Sequence, residues 1–136
     1  MSTLPAPAPL VTQANAAFWA ATAEQRFQLQ KCNACDTVIW FPRRECPSCW
    51  TNDLSTFDAS GRGTIYSFAI IRKGAMAYKE AGPFVIAYVE LAEGPRVMTN
   101  IVDCPVDVVR VGMDVEVVWH DTGQGNALYR FRPATA

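Results

Sequence analysis

Two C-x-x-C pairs, Cys32-x-x-Cys35 and Cys46-x-x-Cys49, constrain this chain more than any other feature. Each pair forms a knuckle that turns two thiolates toward one point. Two knuckles separated by ten residues close a tetrahedral cage of four sulfurs, the ligand set of a structural zinc. Two disulfides, a redox-active pair and an iron–sulfur site are the competing readings of the same spacing, and zinc is preferred. The expectation is one structural Zn2+ per chain, held by Cys32, Cys35, Cys46 and Cys49.

Such a cage has no position left for water, so it organises the chain rather than catalysing a reaction. A ribbon of about 20 residues buries too little apolar surface to offset its own ordering entropy. The binding energy of the metal, on the order of 10–16 kcal/mol in small zinc modules, therefore appears as folding energy.

The rest of the chain supplies a second unit. Its 136 residues suffice for one domain with a small appendage, and half of them are hydrophobic, enough for a core. A net charge of −1 argues against a general nucleic-acid binder, which carries a basic face for phosphates. Arg43-Arg44 reads as a solvated edge of the ribbon. The start, MSTLPAPAP, lacks a basic segment followed by an apolar one, and no apolar run approaches the length of a membrane span. The chain reads as cytoplasmic and free of membrane contact, in a reducing compartment where cysteine pairs favour metal over disulfide. Cys104, outside both pairs, reads as a buried small apolar residue.

Four segments follow. Residues 1–11, rich in Pro and Ala, are expected to form a disordered tail. Residues 12–31 are expected to form an N-terminal helix, with Thr12 as N-cap and Phe18, Trp19, Phe27 and Leu29 as its apolar surface. Residues 32–55 are the zinc ribbon, with Val38–Phe41 as a strand that Pro42 ends. Residues 56–136 carry five runs of strand composition: Thr64–Ile71, Phe84–Leu91, Arg96–Val102, Val115–His120 and Ala127–Arg132. Five strands with no long helix among them fit a small Greek-key barrel of the OB type. The fold class is thus mainly β: an N-terminal helix, a rubredoxin-like zinc ribbon and a five-stranded OB-fold barrel.

No catalytic residue is assigned. His120 ends a strand and is expected to be a surface or hydrogen-bonded histidine. Asp121 beside it points to the opposite face. The turn Gly61-Arg62-Gly63 precedes a strand rather than a helix, so it is no phosphate loop. The adjacent aromatics Phe18-Trp19 are expected either to cap the ribbon or, with Trp40 and Trp50, to form a partner-docking surface.

The order of aromatic helix, four-cysteine ribbon and five-stranded barrel resembles the DUF35 family, zinc-ribbon OB-fold proteins associated with acyl-CoA enzymes. The resemblance covers residues 15–133. It is carried by Phe18-Trp19, Leu29-Gln30-Lys31-Cys32-x-x-Cys35, Phe41-Pro42-Arg43, Cys46-Pro47-x-Cys49, Gly61 to Phe68, Pro83-Phe84-Val85, Val89-Glu90-Leu91, Glu93 to Arg96, Asn100-Ile101-Val102, Val111-Gly112-Met113 and Phe131-Arg132-Pro133. One departure is Trp50, which follows the second knuckle where a glycine is common.

The resemblance implies a non-catalytic accessory subunit that docks on a thiolase-fold acyl-CoA enzyme, a retro-aldolase or thiolase of the steroid side-chain type. The expected assembly is a heterotetramer with two copies of each chain. The loop from Arg72 to Gly82, with Lys73, Met76, Tyr78 and Lys79, would then either be an ordinary hairpin loop or lie over the channel and offer cations to CoA phosphates. Two alternatives stand beside it: the accessory subunit of a phloroglucinol-type acetyltransferase, and a single-stranded nucleic-acid binder stacking bases on Tyr66, Phe68 and Tyr88.

Overall fold

The computed structural model describes residues 4–134. A short helix, α1 (Ala16–Thr22), leads into a three-stranded sheet of β1 (Gln28–Cys32), β2 (Val38–Ile39) and β3 (Leu54–Asp58), in the order β2-β1-β3. The remaining strands are β4 (Arg62–Ile71), β5 (Phe84–Leu91), β6 (Arg96–Ile101), β7 (Asp114–Asp121) and β8 (Ala127–Pro133). They close a barrel in the order β4-β5-β6-β8-β7, so each strand finds a partner on both sides. Among the described residues no helix is long and apolar enough to cross a membrane.

The barrel strands fall where the sequence places them, within one or two residues at each end. Strand alternation explains why: along β5 and β6, Val85, Ala87, Val89, Val97 and Ile101 point inward and are buried, while Tyr88, Arg96 and Met98 point out. At Gly63, β4 passes so close to β5 that a Cβ would meet the Glu90 carbonyl oxygen at 2.5 Å and Val89 Cγ1 at 2.7 Å. Only glycine permits that approach.

Three expectations for the N-terminal third are corrected. The helix does not run from 12 to 31. It ends at Thr22, Gln25 takes a left-handed φ of 59°, and residues 28–32 are strand β1. The buried pair Phe27 and Leu29 sits at spacing i, i+2, the strand period rather than a helical stripe. Thr12 is not the N-cap either. Asn15 flanks the helix start, and its Oδ1 accepts the Thr12 N–H at 2.6 Å. Nor are residues 4–11 a loose tail. The Pro5 carbonyl accepts from Arg130 at 2.6 Å and the Leu10 carbonyl accepts from Asn15 Nδ2 at 3.3 Å. Residues 1–3 of the expected tail lie outside the described residues.

The ribbon strand shrinks from the expected Val38–Phe41 to Val38–Ile39, releasing Trp40 and Phe41 to pack sideways. The ribbon sheet also extends past residue 55. β3 pairs with β1 through Gln28↔Asp58, so the first β-run after the knuckles belongs to the ribbon and the barrel begins with β4.

Candidate metal centre and aromatic pedestal

The two knuckles are near copies of each other. The Cys32 N–H donates to the Thr37 carbonyl (2.9 Å) and the Asp36 N–H to the Cys32 carbonyl (3.0 Å). In the second knuckle the Cys46 N–H donates to the Thr51 carbonyl and the Trp50 N–H to the Cys46 carbonyl, both at 2.8 Å. Each turn closes through a left-handed residue just past its second cysteine, Asp36 at φ 64° and Trp50 at φ 67°. Asp tolerates that region through local hydrogen bonding, whereas an indole gains nothing there.

This geometry brings Cys32, Cys35, Cys46 and Cys49 together, with all four Sγ atoms within 4.8 Å of one another. Two of the edges, Cys32–Cys49 and Cys35–Cys46, measure 3.6 and 3.7 Å. A tetrahedral zinc with Zn–S bonds of ~2.3 Å requires S···S edges of ~3.8 Å, and a disulfide would require ~2.05 Å. The donor set therefore fits zinc and excludes the disulfide reading.

Backbone N–H groups support the sulfurs. Ala34 and Cys35 donate to Cys32 Sγ at 3.4 Å, and Ser48 donates to Cys46 Sγ at 3.4 Å. Burial alone would raise the Cys46 thiol, but the N–H groups of Cys49 and Ser48 reverse this and bring it down to about 6. The Thr37 hydroxyl, 3.1 Å from Cys35 Sγ, lowers that thiol too. At Cys49 the Thr51 N–H pulls downward, but the neighbouring sulfurs and burial prevail and push it up to about 12. A metal ion is what allows all four to be thiolates at once. The four cysteines build a structural zinc site, with Ile39 and Leu54 as its small apolar core.

The aromatic residues expected at a docking surface divide into two groups. Phe18 and Trp19 are buried, Trp19 at 6% exposure, so of the two expectations for this pair the capping of the ribbon fits and the exposed docking surface does not. Phe18 is the hub of a pedestal. Its ring lies 4.9 Å from Trp19, 5.1 Å from Trp40, 5.7 Å from Phe27 and 5.8 Å from Tyr129. These rings come from the helix, the ribbon and the barrel strand β8, so the cluster fastens the three units to one another. Trp40 is half-buried within it. Burial pushes the Tyr129 hydroxyl up to about 12. Trp50 is different: 77% exposed, it projects from the second knuckle, and Phe41 is another ribbon aromatic that reaches solvent.

His120 is hydrogen-bonded, as a strand-end histidine is expected to be, and its partner is Arg130 at 2.7 Å. Sequence reading missed Arg130 altogether. It alternates with inward-facing Phe131 and so belongs to an outward face, yet it is covered by segments remote in sequence, for which a local pattern carries no signal. Cys104 is partly buried, which raises its thiol above the ordinary range.

Comparison with known proteins agrees with this architecture. Residues 19–55 match the ChsH2 rubredoxin-like zinc ribbon domain and residues 57–120 the ChsH2 C-terminal OB-fold domain. A probable enoyl-CoA hydratase alpha subunit of Thermomonospora curvata is 35% identical over 94% of this chain, which spans only 40% of that relative's length. A DUF35 domain-containing scaffold protein of Methanothermobacter thermautotrophicus is 35% identical over 82% of this chain and 90% of its own. Benzoylsuccinyl-CoA thiolase subunit BbsA of Geobacter metallireducens is 32% identical over 67% of this chain and 58% of its own. Among solved structures, a chain of the Ltp2-ChsH2(DUF35) aldolase superposes with a TM-score of 0.84 at 34% identity, covering 94% of this chain and 100% of that one. The chain belongs to the DUF35 family, in the ChsH2 arrangement of a rubredoxin-like zinc ribbon followed by an OB-fold domain.

Proposed function

We propose that this chain is a non-catalytic accessory subunit that docks on a thiolase-fold acyl-CoA enzyme and helps to form or stabilise its acyl-CoA site. The observation that supports this most strongly is the match along the whole length of the DUF35 chain in the Ltp2-ChsH2 aldolase. The thiolase subunit among the relatives points the same way. The partner reaction is a retro-aldol or thiolytic cleavage of an acyl-CoA, of the steroid side-chain type, in a heterotetramer with two copies of each chain. The phloroglucinol-type acetyltransferase remains the other member of this class.

The chain has the build of such a subunit. The zinc ribbon is locked to the barrel through the Phe18 pedestal, so an anchor on the ribbon has a fixed position relative to the barrel. Trp50 is the proposed anchor, since a large exposed aromatic at the tip of a rigid knuckle is the residue type that dominates interface energetics. In the loop after β4, Lys73 and Lys79 are exposed and available to CoA phosphates at the shared site.

A second reading draws on Tyr66 and Tyr88, half-exposed on the outer barrel face, with the Arg96 guanidinium 3.7 Å above the Tyr66 ring. Aromatics and a cation on that face would suit single-stranded nucleic acid. Capture of the tagged chain from native lysate at high salt, with mass spectrometry of what stays bound, separates the two. A stoichiometric thiolase-like protein retained in salt supports the accessory subunit. Nucleic acid that salt strips away supports the second reading and overturns the first.

A further inference from the structure

The four ligand cysteines are not equivalent. Each knuckle holds one buried and one exposed residue: Cys32 and Cys46 are buried, Cys35 and Cys49 exposed. Exposure decides which sulfur an oxidant in solvent meets first. The short sulfur–sulfur contacts cross from one knuckle to the other. Cys49 lies 3.6 Å from Cys32, and Cys35 lies 3.7 Å from Cys46. Each exposed cysteine therefore has a buried one of the opposite knuckle as its neighbour. Closing either contact to a disulfide of ~2.05 Å asks each sulfur to move by about 0.8 Å. Cys104 stands outside the cluster.

The ribbon needs this cluster as a cross-link. The chain between β2 and β3 forms no helix or strand, and the local core is only Cys32, Ile39 and Cys46 with Leu54 against it. The second knuckle thus relies on the sulfurs to stay against the first. Two covalent bonds between the knuckles would serve the same end. A Cys32–Cys49 bond joins residues 17 apart and encloses a Cys35–Cys46 bond joining residues 11 apart. Nested bridges of this kind remove open conformations from the unfolded ribbon, as the metal does.

We propose that Cys35 and Cys49 are sites of peroxide oxidation, through which the ribbon exchanges its zinc for two disulfides, Cys32–Cys49 and Cys35–Cys46, and stays folded. The reduced, metal-binding cage is the resting form, and the bridged ribbon is its oxidised counterpart. This site is independent of the accessory-subunit reading, because all four sulfurs come from this chain.

The chemistry runs in two steps for each pair. The exposed thiolate attacks one oxygen of hydrogen peroxide: the S–O bond forms, the O–O bond breaks, and hydroxide leaves and takes a proton from solvent to become water. The buried thiolate of the same pair then attacks the sulfenic acid. The S–S bond forms, the S–O bond breaks, and the departing hydroxide again becomes water. Each pair gives up two electrons, consumes one peroxide and two protons, and yields one disulfide and two waters. Loss of two thiolates leaves too few ligands to hold the metal, which departs as the aqueous ion.

The test adds excess hydrogen peroxide to the full, zinc-loaded chain and follows free zinc with a chromogenic chelator. The product is then digested with trypsin without reductant. Lys31, Arg43 and Arg44 are exposed, so cleavage separates a peptide holding Cys32 and Cys35 from one holding Cys46 and Cys49. The expected result is full release of the zinc, with the two peptides joined and tandem mass spectrometry placing the bonds at Cys32–Cys49 and Cys35–Cys46. Amide resonances of residues 32–50 should stay dispersed in the oxidised, zinc-free chain, and dithiothreitol with added zinc should restore the starting spectrum. Zinc retained under excess peroxide overturns the exchange, as do bridges within each knuckle, the opposite cross-pairing, or sulfinic acids in place of disulfides. Collapse of those amides in the bridged chain overturns the disulfides as a substitute for the metal.

Discussion

Thr22 and Ala127 are joined by a buried hydrogen bond across 105 residues: the Ala127 N–H donates to Thr22 Oγ1 at 3.0 Å. The same hydroxyl donates to the Trp19 carbonyl at 2.6 Å. One side chain therefore satisfies the last turn of α1 and the first N–H of β8. Thr22→Val keeps the shape and removes both bonds, leaving a buried donor unsatisfied at a cost of about 1–3 kcal/mol. Thr22→Ser restores the hydroxyl and should recover most of that loss. Urea unfolding of the three proteins measures it, and equal midpoints for Thr22→Val and wild type would contradict the assignment.

The zinc site predicts unequal dependence of the two units on metal. The ribbon's own core is small, consisting of Cys32, Ile39 and Cys46 with Leu54 against it, whereas the barrel closes every strand edge and buries Ile65, Val89, Val97, Val115 and Phe131. Cys35→Ala and Cys46→Ala are each expected to abolish zinc retention, measured by elemental analysis of purified protein. Amide resonances of residues 32–50 should collapse while those of β4–β8 persist. Full zinc content in either variant would remove those residues from the ligand set.

The barrel and the ligand set were both legible in the sequence, for physical reasons that the N-terminal third does not share. A strand buried on one face writes its period into residues such as Val85, Ala87 and Val89, and a thiolate cage writes its spacing into Cys32-x-x-Cys35. The segment from Phe27 to Cys32 is too short and polar for its period to stand out, and helical Phe18 and Trp19 just before it extended the wrong pattern. Burial of Phe18 and Trp19, and coverage of Arg130 by Pro5 and Tyr78, are set by contacts between distant segments. No local window holds that information.

Trp50 offers a way to separate docking from folding. Its φ of 67° places an L-residue where the backbone costs about 1–2 kcal/mol, and its exposed indole has little packing to lose. Trp50→Gly relieves the left-handed strain, so thermal stability should stay level or rise. Partner affinity should fall at least about 10-fold, the signature of an aromatic anchor. Calorimetry and a pull-down titration on the same preparation check both halves. Unchanged affinity would move the interface elsewhere.

The pairing of His120 with Arg130 predicts a pH dependence with a definite sign. A guanidinium has no acceptor, so His120 Nδ1 must carry the lone pair and the ring proton must sit on Nε2. Protonation would set two cationic donors against each other. Burial lowers the His120 pKa most, the Arg130 charge lowers it further, and Asp103 opposes them. With the folded pKa below the unfolded value of about 6.5, the unfolded chain binds more protons between the two. The stabilisation is complete above about 6.5 and is lost as pH falls toward the folded value. His120→Gln presents an uncharged acceptor at every pH. Wild type should therefore lose more stability than His120→Gln between pH 7.5 and 5.5, read from urea midpoints, and parallel curves would show that His120 takes up a proton as readily in the folded chain as in the unfolded one.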